Sequence, residues 1–243
     1  MRILLIRHGD PDYEKDSLTE RGRLEACLLA ERLEKEKIDY FYSSPLGRAK
    51  LTCDYTAKKM GRESEVVVED WLREFEYLVD LPTGEKEQLI WDLLPEYWTK
   101  VDDFFDKDKW LDQPFMKEGN IPFYYRRVCE GLDNLLKKHG YERDGRMYKA
   151  IKANRDTVAI FCHFGLECML LSHLFGISPT ILTHAFVAAP TSVTTIYSEE
   201  RRAGKVFFRC AGFGDTGHLY AKGEQPSFAA RFCETFDSDE RHD

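Results

Sequence analysis

Short apolar runs alternate with amphipathic stretches of helical length along most of the chain. The runs have the length and composition of buried strands, and Gly or Pro residues stop several of them. They occupy positions 2–6, 38–42, 66–68, 157–162, 192–197 and 206–209. Strands that alternate with helices predict an α/β fold, here a three-layer sandwich in which helices cover both faces of a mostly parallel central sheet.

Helix signals follow three of these runs. Thr19 can cap a helix over about 20–34, in which apolar residues recur near helical spacing. A second helix would be capped at Ser44 and end before Gly61, and a third begins near Leu166. We expect these helices to cover the predicted sheet.

Composition narrows the classes of function. The chain has 243 residues, of which 43% are hydrophobic, and this suits one large domain, 1–243. A formal net charge of −8 argues against nucleic-acid binding, so any anion site must be a local cationic pocket. No apolar run is long enough for a membrane span, and the seven scattered cysteines are typical of reduced thiols in a cytoplasmic protein.

Cationic side chains or histidines follow three predicted strands at the point where each strand ends. Arg7 and His8 follow the first strand, Arg48 lies in the helix after the second, and His163 follows the strand at 157–162. The carboxyl ends of parallel strands share one edge of a sheet, where α/β folds bind ligands and helix N-termini favour anions. The pattern predicts a phosphate pocket, although Arg-His-Gly alone is common by chance, Arg48 alone is more typical of a solvated helix residue, and His163 alone is equally compatible with a packed core histidine.

Seven motifs, in the same order, resemble those of the histidine phosphatase superfamily, which includes the cofactor-dependent phosphoglycerate mutases. Those that would carry chemistry are LLIRHG at 4–9, SSPLGRA at 43–49, LRE at 72–74 and IFCHFG at 160–165. Those that resemble a helix and the closing strands are LTERG at 18–22, TSVT at 191–194 and DTGHL at 215–219. The resemblance covers about 1–76 and 157–219.

The resemblance implies a metal-independent phosphatase that hydrolyses phosphomonoesters through a phosphohistidine on His8. Arg7, which should also keep His8 unprotonated, would bind the phosphoryl oxygens together with Arg48 and the second catalytic histidine, His163. Glu74 would be the general acid that protonates the leaving oxygen and later activates water, with an acid-shifted optimum. No metal or other cofactor would be needed, because the arginines neutralise the phosphoryl charge.

Alternatives remain open for the acid and for the activity. Glu74 could instead be a surface residue beside Arg73, and Glu76 competes for the acid role. A mutase is disfavoured because Asp10 begins a short segment where mutases have a longer polar signature. The sequence also shows no additional cluster of cationic residues that could bind a second phosphate. Phe164 also stands where many relatives have glycine. A mutase-type phosphotransferase and a non-catalytic module that binds phospholigands are the alternatives to the phosphatase.

Other phosphate-transfer chemistries lack their signatures. The chain contains no Cys-x5-Arg, no Walker-type loop and no His-Glu-x-x-His, so a cysteine-dependent phosphatase, a P-loop enzyme and a zinc hydrolase are each unsupported. The expected partner is a small phosphate ester, and the oligomeric state is left open.

The segment 77–125 breaks the alternation of strands and helices. It is rich in aromatic and charged residues and contains four prolines. We expect an insertion of helices and loops that covers the active-site edge, and its acidity favours a neutral or cationic leaving group. Several of its aromatic residues would either line an apolar lid or pack into a small core of their own: Trp91, Trp98, Phe104, Phe105 and Trp110.

Overall fold

The computed structural model describes residues 1–228, 234–238 and 240; the rest of the predicted domain, at 229–233, 239 and 241–243, lies outside the described residues. Within 1–228 the strands are β1 (Arg2–Arg7), β2 (Pro11–Asp12), β3 (Ser17–Leu18), β4 (Tyr40–Ser43), β5 (Val66–Val68), β6 (Leu78–Val79), β7 (Gln88–Leu89), β8 (Tyr141–Asp144), β9 (Met147–Ala150), β10 (Thr157–Cys162), β11 (Val193–Arg202) and β12 (Lys205–Asp215). The α-helices of the same range are α1 (Glu20–Leu33), α2 (Gly47–Lys59), α3 (Pro95–Trp98), α4 (Pro114–Glu118), α5 (Ile121–Lys138), α6 (Phe164–Phe175), α7 (Pro179–Ala185) and α8 (Gly217–Tyr220). No helix of the described residues is both long and apolar enough to cross a membrane.

The main sheet has eight strands in the order β5-β4-β10-β1-β11-β12-β9-β8. The first four strands of this order are parallel to one another, as predicted for the half that carries the candidate site. From β1 onward, the remaining pairs are antiparallel. The α/β prediction is confirmed, and the sheet is mixed because β8 with β9 and β11 with β12 are hairpins, which pair antiparallel through short connections.

Alternate residues of β1 face two separate apolar clusters. Leu4 and Ile6 pack with residues of α1 and α2 on one face of the sheet. Ile3 and Leu5 belong to a larger cluster on the other face, to which α5 and α6 contribute. Because successive side chains of a strand point to opposite faces, this division shows that helices cover both faces of the sheet, as expected of a three-layer sandwich.

Two predicted helix starts are wrong by two residues. The cap of α2 is Leu46 rather than Ser44, because the Ser44 hydroxyl accepts a hydrogen bond from the Leu46 N–H and also contacts His163. Helix α6 begins at Phe164 rather than near Leu166. In both places the strand leads almost directly into the helix, so the polar residues at the junction belong to the candidate site.

The segment 77–125 consists of a short hairpin, one-turn helices and the first residues of α5. Trp98, Phe104 and Trp110 are buried in the larger of the two apolar clusters, together with residues of β1 and β10. Phe105 is exposed. Three of the five singled-out aromatic residues therefore belong to a core that this segment shares with the main sheet, and the segment has no separate core among the described residues.

Candidate active site

The carboxyl ends of three neighbouring parallel strands meet at one edge of the sheet. In the pairing register Arg7 of β1 lies opposite Cys162 of β10, and Phe161 lies opposite Ser43 of β4. The next residue on each strand is His8, His163 and Ser44, respectively. The rings of His8 and His163 have their centroids 5.1 Å apart. The topology thus brings together side chains that are up to 155 positions apart in the chain.

The tautomer of His8 follows from its neighbour. The ring nitrogen Nδ1 lies 2.7 Å from the Gly9 carbonyl oxygen, which can only accept a hydrogen bond. Nδ1 therefore carries the proton, and Nε2 has a free lone pair. Burial lowers the pKa of His8 well below 6.5, and the charges of Arg7 and Arg48 lower it further. The imidazole is neutral and suited to act as a nucleophile.

Close backbone contacts hold the loop that begins with Gly9. A Cβ added to Gly9 would lie 2.6 Å from the Gly22 carbonyl oxygen, and one added to Gly22 would lie 2.2 Å from that of Asp10. The Gly9 N–H donates to the Thr52 hydroxyl at 3.0 Å. Because these contacts fix the position of Gly9, they also fix the carbonyl that orients His8.

Arg7 is buried beside the two histidines. Its Nη1 donates to the Ala188 carbonyl oxygen at 2.7 Å, and its guanidinium carbon lies 5.9 Å from the centroid of the Phe164 ring. The Phe164 ring therefore covers Arg7. This aromatic cover restricts water beside the guanidinium and strengthens its interaction with an anion.

Arg48 is held by an acidic residue that the sequence analysis did not identify. Asp16 accepts from Arg48 Nη1 at 2.8 Å with one carboxylate oxygen and from the Gly47 N–H at 2.6 Å with the other. Asp16 has a φ of 44°, in the left-handed region that tolerates aspartate. The ring of Tyr13 lies 5.4 Å from the Arg48 guanidinium carbon. Asp16 and Arg48 are 32 positions apart, so no local pattern predicts the pair.

His163 is fully buried, and its Nε2 lies 2.8 Å from the Ser44 hydroxyl oxygen. Its Nδ1 is buried without a hydrogen-bond partner among the described residues. Burial lowers the pKa of His163 well below its ordinary value, and the neighbouring His8 contributes to the shift. Ser44 was predicted as a helix cap, and its hydroxyl instead orients a histidine of the site.

Glu74 and Glu76 occupy different environments although they are two positions apart. Glu74 is partly buried, and its Oε1 accepts from the Phe75 N–H at 2.8 Å and from the Leu166 N–H at 2.9 Å. Burial raises the pKa of Glu74, although these two hydrogen bonds and the charge of Arg7 oppose the rise. Glu76 is exposed, with its Oε2 3.8 Å from Arg48 Nη2. The two candidates for the acid role thus differ in burial and in hydrogen bonding.

A cavity of about 210 Å³ is lined by Arg7, Arg48 and Glu74 of the predicted site residues, whereas His8 and His163 are not among its lining residues. Its lining residues are Arg7, Tyr13, Arg48, Glu74, Glu76, Leu89, Trp91, Phe164 and Gly165. A larger open depression of about 520 Å³ lies on the β11–β12 hairpin, but none of the predicted site residues lines it. The smaller cavity is the candidate active site because the buried arginines open into it and His8 lies beside them.

Comparisons with known proteins identify the family of this chain. The pattern of the histidine phosphatase superfamily (branch 1) matches residues 3–210. Phosphoserine phosphatase 1 of Hydrogenobacter thermophilus is 27% identical over 152 residues, which cover 57% of this chain and 66% of the relative. A probable phosphoglycerate mutase of Photorhabdus laumondii is 35% identical over 83 residues, 30% of this chain and 38% of the relative.

A solved structure shares the fold. A phosphoserine phosphatase mutant of Entamoeba histolytica in complex with phosphoserine superposes with a TM-score of 0.60 at 21% identity, covering 90% of this chain and 98% of that one. The match to the family spans most of the chain and includes all the predicted site residues. The chain belongs to the histidine phosphatase superfamily.

Proposed function

We propose that the protein hydrolyses small phosphomonoesters through a phosphohistidine on His8. The observation that carries this proposal is the hydrogen bond from His8 Nδ1 to the Gly9 carbonyl oxygen, which leaves Nε2 as a neutral nucleophile. The nucleophile lies next to Arg7, in a buried site that also holds Arg48 and His163. A nucleophile beside fixed cationic donors is the arrangement that phosphoryl transfer requires.

The reaction then has two balanced steps. In the first, His8 Nε2 attacks phosphorus, the bond from phosphorus to the ester oxygen breaks, and Glu74 gives its proton to that oxygen. Arg7, Arg48 and His163 donate hydrogen bonds to the phosphoryl oxygens. In the second step Glu74 takes a proton from water, whose oxygen attacks phosphorus. The bond from phosphorus to His8 Nε2 breaks, which releases inorganic phosphate and restores the neutral imidazole. The two guanidinium groups supply the positive charge, so no metal is required.

The size and lining of the cavity favour a phosphatase over a mutase. A mutase has to hold a second phosphate group, and among the described residues Arg7 and Arg48 are the arginines that line the cavity, with no lysine. Both would be engaged by the first phosphoryl group. The relatives include proteins named as phosphatases, and the match to a mutase is limited to a short stretch. No observation specifically favours the binding-module alternative.

The segment 77–125 would act as a cover for this site. Leu89 and Trp91 of this segment line the cavity, and Trp91 packs against Gly165 at the start of α6.

We also propose a cytoplasmic location, because the six cysteines that the structure describes are all free thiols, as expected in a reducing compartment.

The test is hydrolysis of an aryl phosphate between about pH 5 and 8 in EDTA, with the parent and His8→Ala side by side. We expect EDTA-resistant turnover in the parent and a loss of at least about 10³-fold in His8→Ala, because the covalent route requires the imidazole. His184→Ala is the control, since the His184 ring packs against Trp98 and not against Arg7 or His163. Turnover that survives in His8→Ala would contradict the proposed mechanism.

A further inference from the structure

The cavity has walls of two chemical kinds. Arg7 and Arg48 form the cationic part, where the phosphoryl group would bind. Aromatic or aliphatic side chains form most of the rest, together with Glu74, which the proposed mechanism requires to be protonated when the substrate binds, and the carboxylate of Glu76. The leaving group of a substrate would therefore contact apolar side chains and the carboxylate of Glu76.

Both arginines of the cavity already have fixed partners. Arg7 donates to the Ala188 carbonyl oxygen, and Arg48 donates to Asp16. In the proposed mechanism both guanidinium groups also bind the phosphoryl oxygens. Among the described residues no lysine and no third arginine lines the cavity. A carboxylate or second phosphate on the leaving group would therefore lack a cationic partner there and would lie near Glu76.

Glu76 retains the capacity to accept hydrogen bonds. Its Oε2 lies 3.8 Å from Arg48 Nη2, beyond hydrogen-bond range, and its side chain is 57% exposed while that of Arg48 is 6% exposed. The carboxylate thus lies at the mouth of the cavity, close to the guanidinium that would hold the phosphoryl group. An ammonium two carbons from the ester oxygen lies roughly 4–5 Å from phosphorus by standard bond lengths, which suits this position.

Trp91 adds an aromatic surface to the same cavity. A Cβ added to Gly165 would lie 2.6 Å from the Trp91 ring, so the indole packs directly on the first turn of α6. Tyr13 and Phe164 are engaged by Arg48 and Arg7, respectively. Trp91 is the remaining aromatic wall of the cavity, and indole is the side chain that attracts cations most strongly through its ring face.

We propose that Glu76 and Trp91 make the enzyme selective for phosphate esters of amino alcohols, whose leaving group carries an ammonium close to the ester oxygen. This inference rests on the proposed phosphatase activity. Glu76 accepts a hydrogen bond from the ammonium, and Trp91 packs against the carbon atoms that carry it. The same carboxylate repels leaving groups that carry a carboxylate.

Three esters separate the effects of an ammonium and of a carboxylate on the leaving group. Phosphoethanolamine carries an ammonium, phosphoserine carries an ammonium and a carboxylate, and 3-phosphoglycerate replaces the ammonium of phosphoserine with a hydroxyl. We expect kcat/KM to fall in that order, with each step about tenfold, since a hydrogen bond to a charged group commonly has an effect of this size. Hydrolysis of an aryl phosphate, measured on the same samples, reports on phosphoryl transfer alone.

Glu76→Gln is the variant that tests the residue. It should reduce the ratio of kcat/KM for phosphoethanolamine to that for 3-phosphoglycerate by at least about tenfold. Glu96→Gln is the matched control, because Glu96 is an exposed glutamate that does not line the cavity, and it should keep the ratio of the parent.

The outcomes distinguish the inference from the function on which it rests. If the parent hydrolyses the aryl phosphate but prefers 3-phosphoglycerate or shows no preference, the inference is wrong and the phosphatase proposal stands. An unchanged ratio in Glu76→Gln would overturn the role of Glu76. A parent that hydrolyses neither the aryl phosphate nor any of the three esters would overturn the phosphatase proposal itself, and the selectivity would fall with it.

Discussion

At the scale of single residues, environment rather than residue type separates the roles of groups that look alike in the sequence. Glu74 and Glu76 are two positions apart, yet one carboxylate accepts two backbone hydrogen bonds beside α6 and the other is exposed at the cavity mouth. His8 and His163 are likewise both buried, but the Gly9 carbonyl orients the first and the Ser44 hydroxyl orients the second. The hydrogen-bond partners of each side chain therefore set its orientation and its protonation.

The pKa shifts of His8 and Glu74 predict the direction of the pH profile. His8 has to be unprotonated to attack, and burial lowers its pKa, so it stays reactive well below pH 6.5. In the proposed mechanism Glu74 has to be protonated to donate, and burial raises its pKa, so activity should fall as the pH rises through that raised value. Both groups are in their required states on the acid side of neutrality, and the rate of the parent should be highest there.

Glu74→Gln should uncouple the two chemical steps. For an alkyl phosphate we expect a loss of about 10²–10⁴ in kcat, because the leaving oxygen no longer receives a proton. A nitrophenyl phosphate, whose leaving group departs without a proton, should still form the phosphohistidine. The variant then cannot activate water, so rapid mixing should show a burst of one nitrophenolate per site followed by slow turnover. Equal losses on both esters, without a burst, would contradict the assignment of Glu74 as acid and base.

At the scale of secondary-structure elements, the site depends on the contact between the segment 77–125 and the first turn of α6. The helix N-terminus supplies the Leu166 N–H to Glu74, and Gly165 lets Trp91 approach the backbone. A Cβ at position 165 would lie 2.8 Å from Glu74 Oε1 as well as 2.6 Å from Trp91. The absence of a side chain at Gly165 therefore leaves room for both Glu74 and the Trp91 ring.

Gly165→Ala should impair catalysis without impairing folding. The added methyl group has to displace Trp91 or Glu74, and a displacement of about 1 Å at a catalytic group costs up to about 10²-fold in rate. Alanine is also the better helix former by about 1 kcal/mol, so the loss of stability should be small. The measurements are kcat on an alkyl phosphate and the thermal midpoint. Gly212→Ala, where the Cβ would meet nothing within 4 Å, is the control. A variant as active as the parent would show that the contact has no role in catalysis.

At the scale of the whole molecule, the segment 77–125 and the main sheet share one apolar core. Phe104 and Trp110 belong to the same cluster as Ile3 and Leu5 of β1, on the face of the sheet opposite to α1 and α2. An insertion with its own core would unfold separately, whereas a shared core couples it to the domain. The segment 77–125, the proposed cover of the site, should therefore be as stable as the sheet that carries His8.

A pair of adjacent phenylalanines tests this coupling. Phe104 is 0% exposed and Phe105 is 47% exposed. Phe104→Ala should lower the free energy of unfolding by about 3–5 kcal/mol and the thermal midpoint by roughly 10 °C, while Phe105→Ala should cost less than about 1.5 kcal/mol. Circular dichroism and tryptophan fluorescence should report one shared transition in both variants. An early transition seen only by fluorescence in Phe104→Ala would show that the segment unfolds on its own.

The sequence by itself determined the features that depend on local pattern. Apolar runs of strand length and amphipathic stretches located the central strands and main helices to within a few residues. Burial on one or both faces of an element leaves a characteristic spacing of apolar residues in the sequence. The order of these strands and helices also placed Arg7, His8, Arg48 and His163 at one edge of the predicted sheet, because the carboxyl ends of parallel strands lie on the same edge.

Only the tertiary structure decided which groups orient these residues. Asp16 reaches Arg48 across 32 positions, and Ser44 reaches His163 across 119 positions. The packing of Trp91 on Gly165 and the antiparallel pairing of β1 with β11 are equally non-local. Such contacts follow from strand register and the path of loops, which depend on the free energy of the whole folded chain rather than on the propensity of any segment.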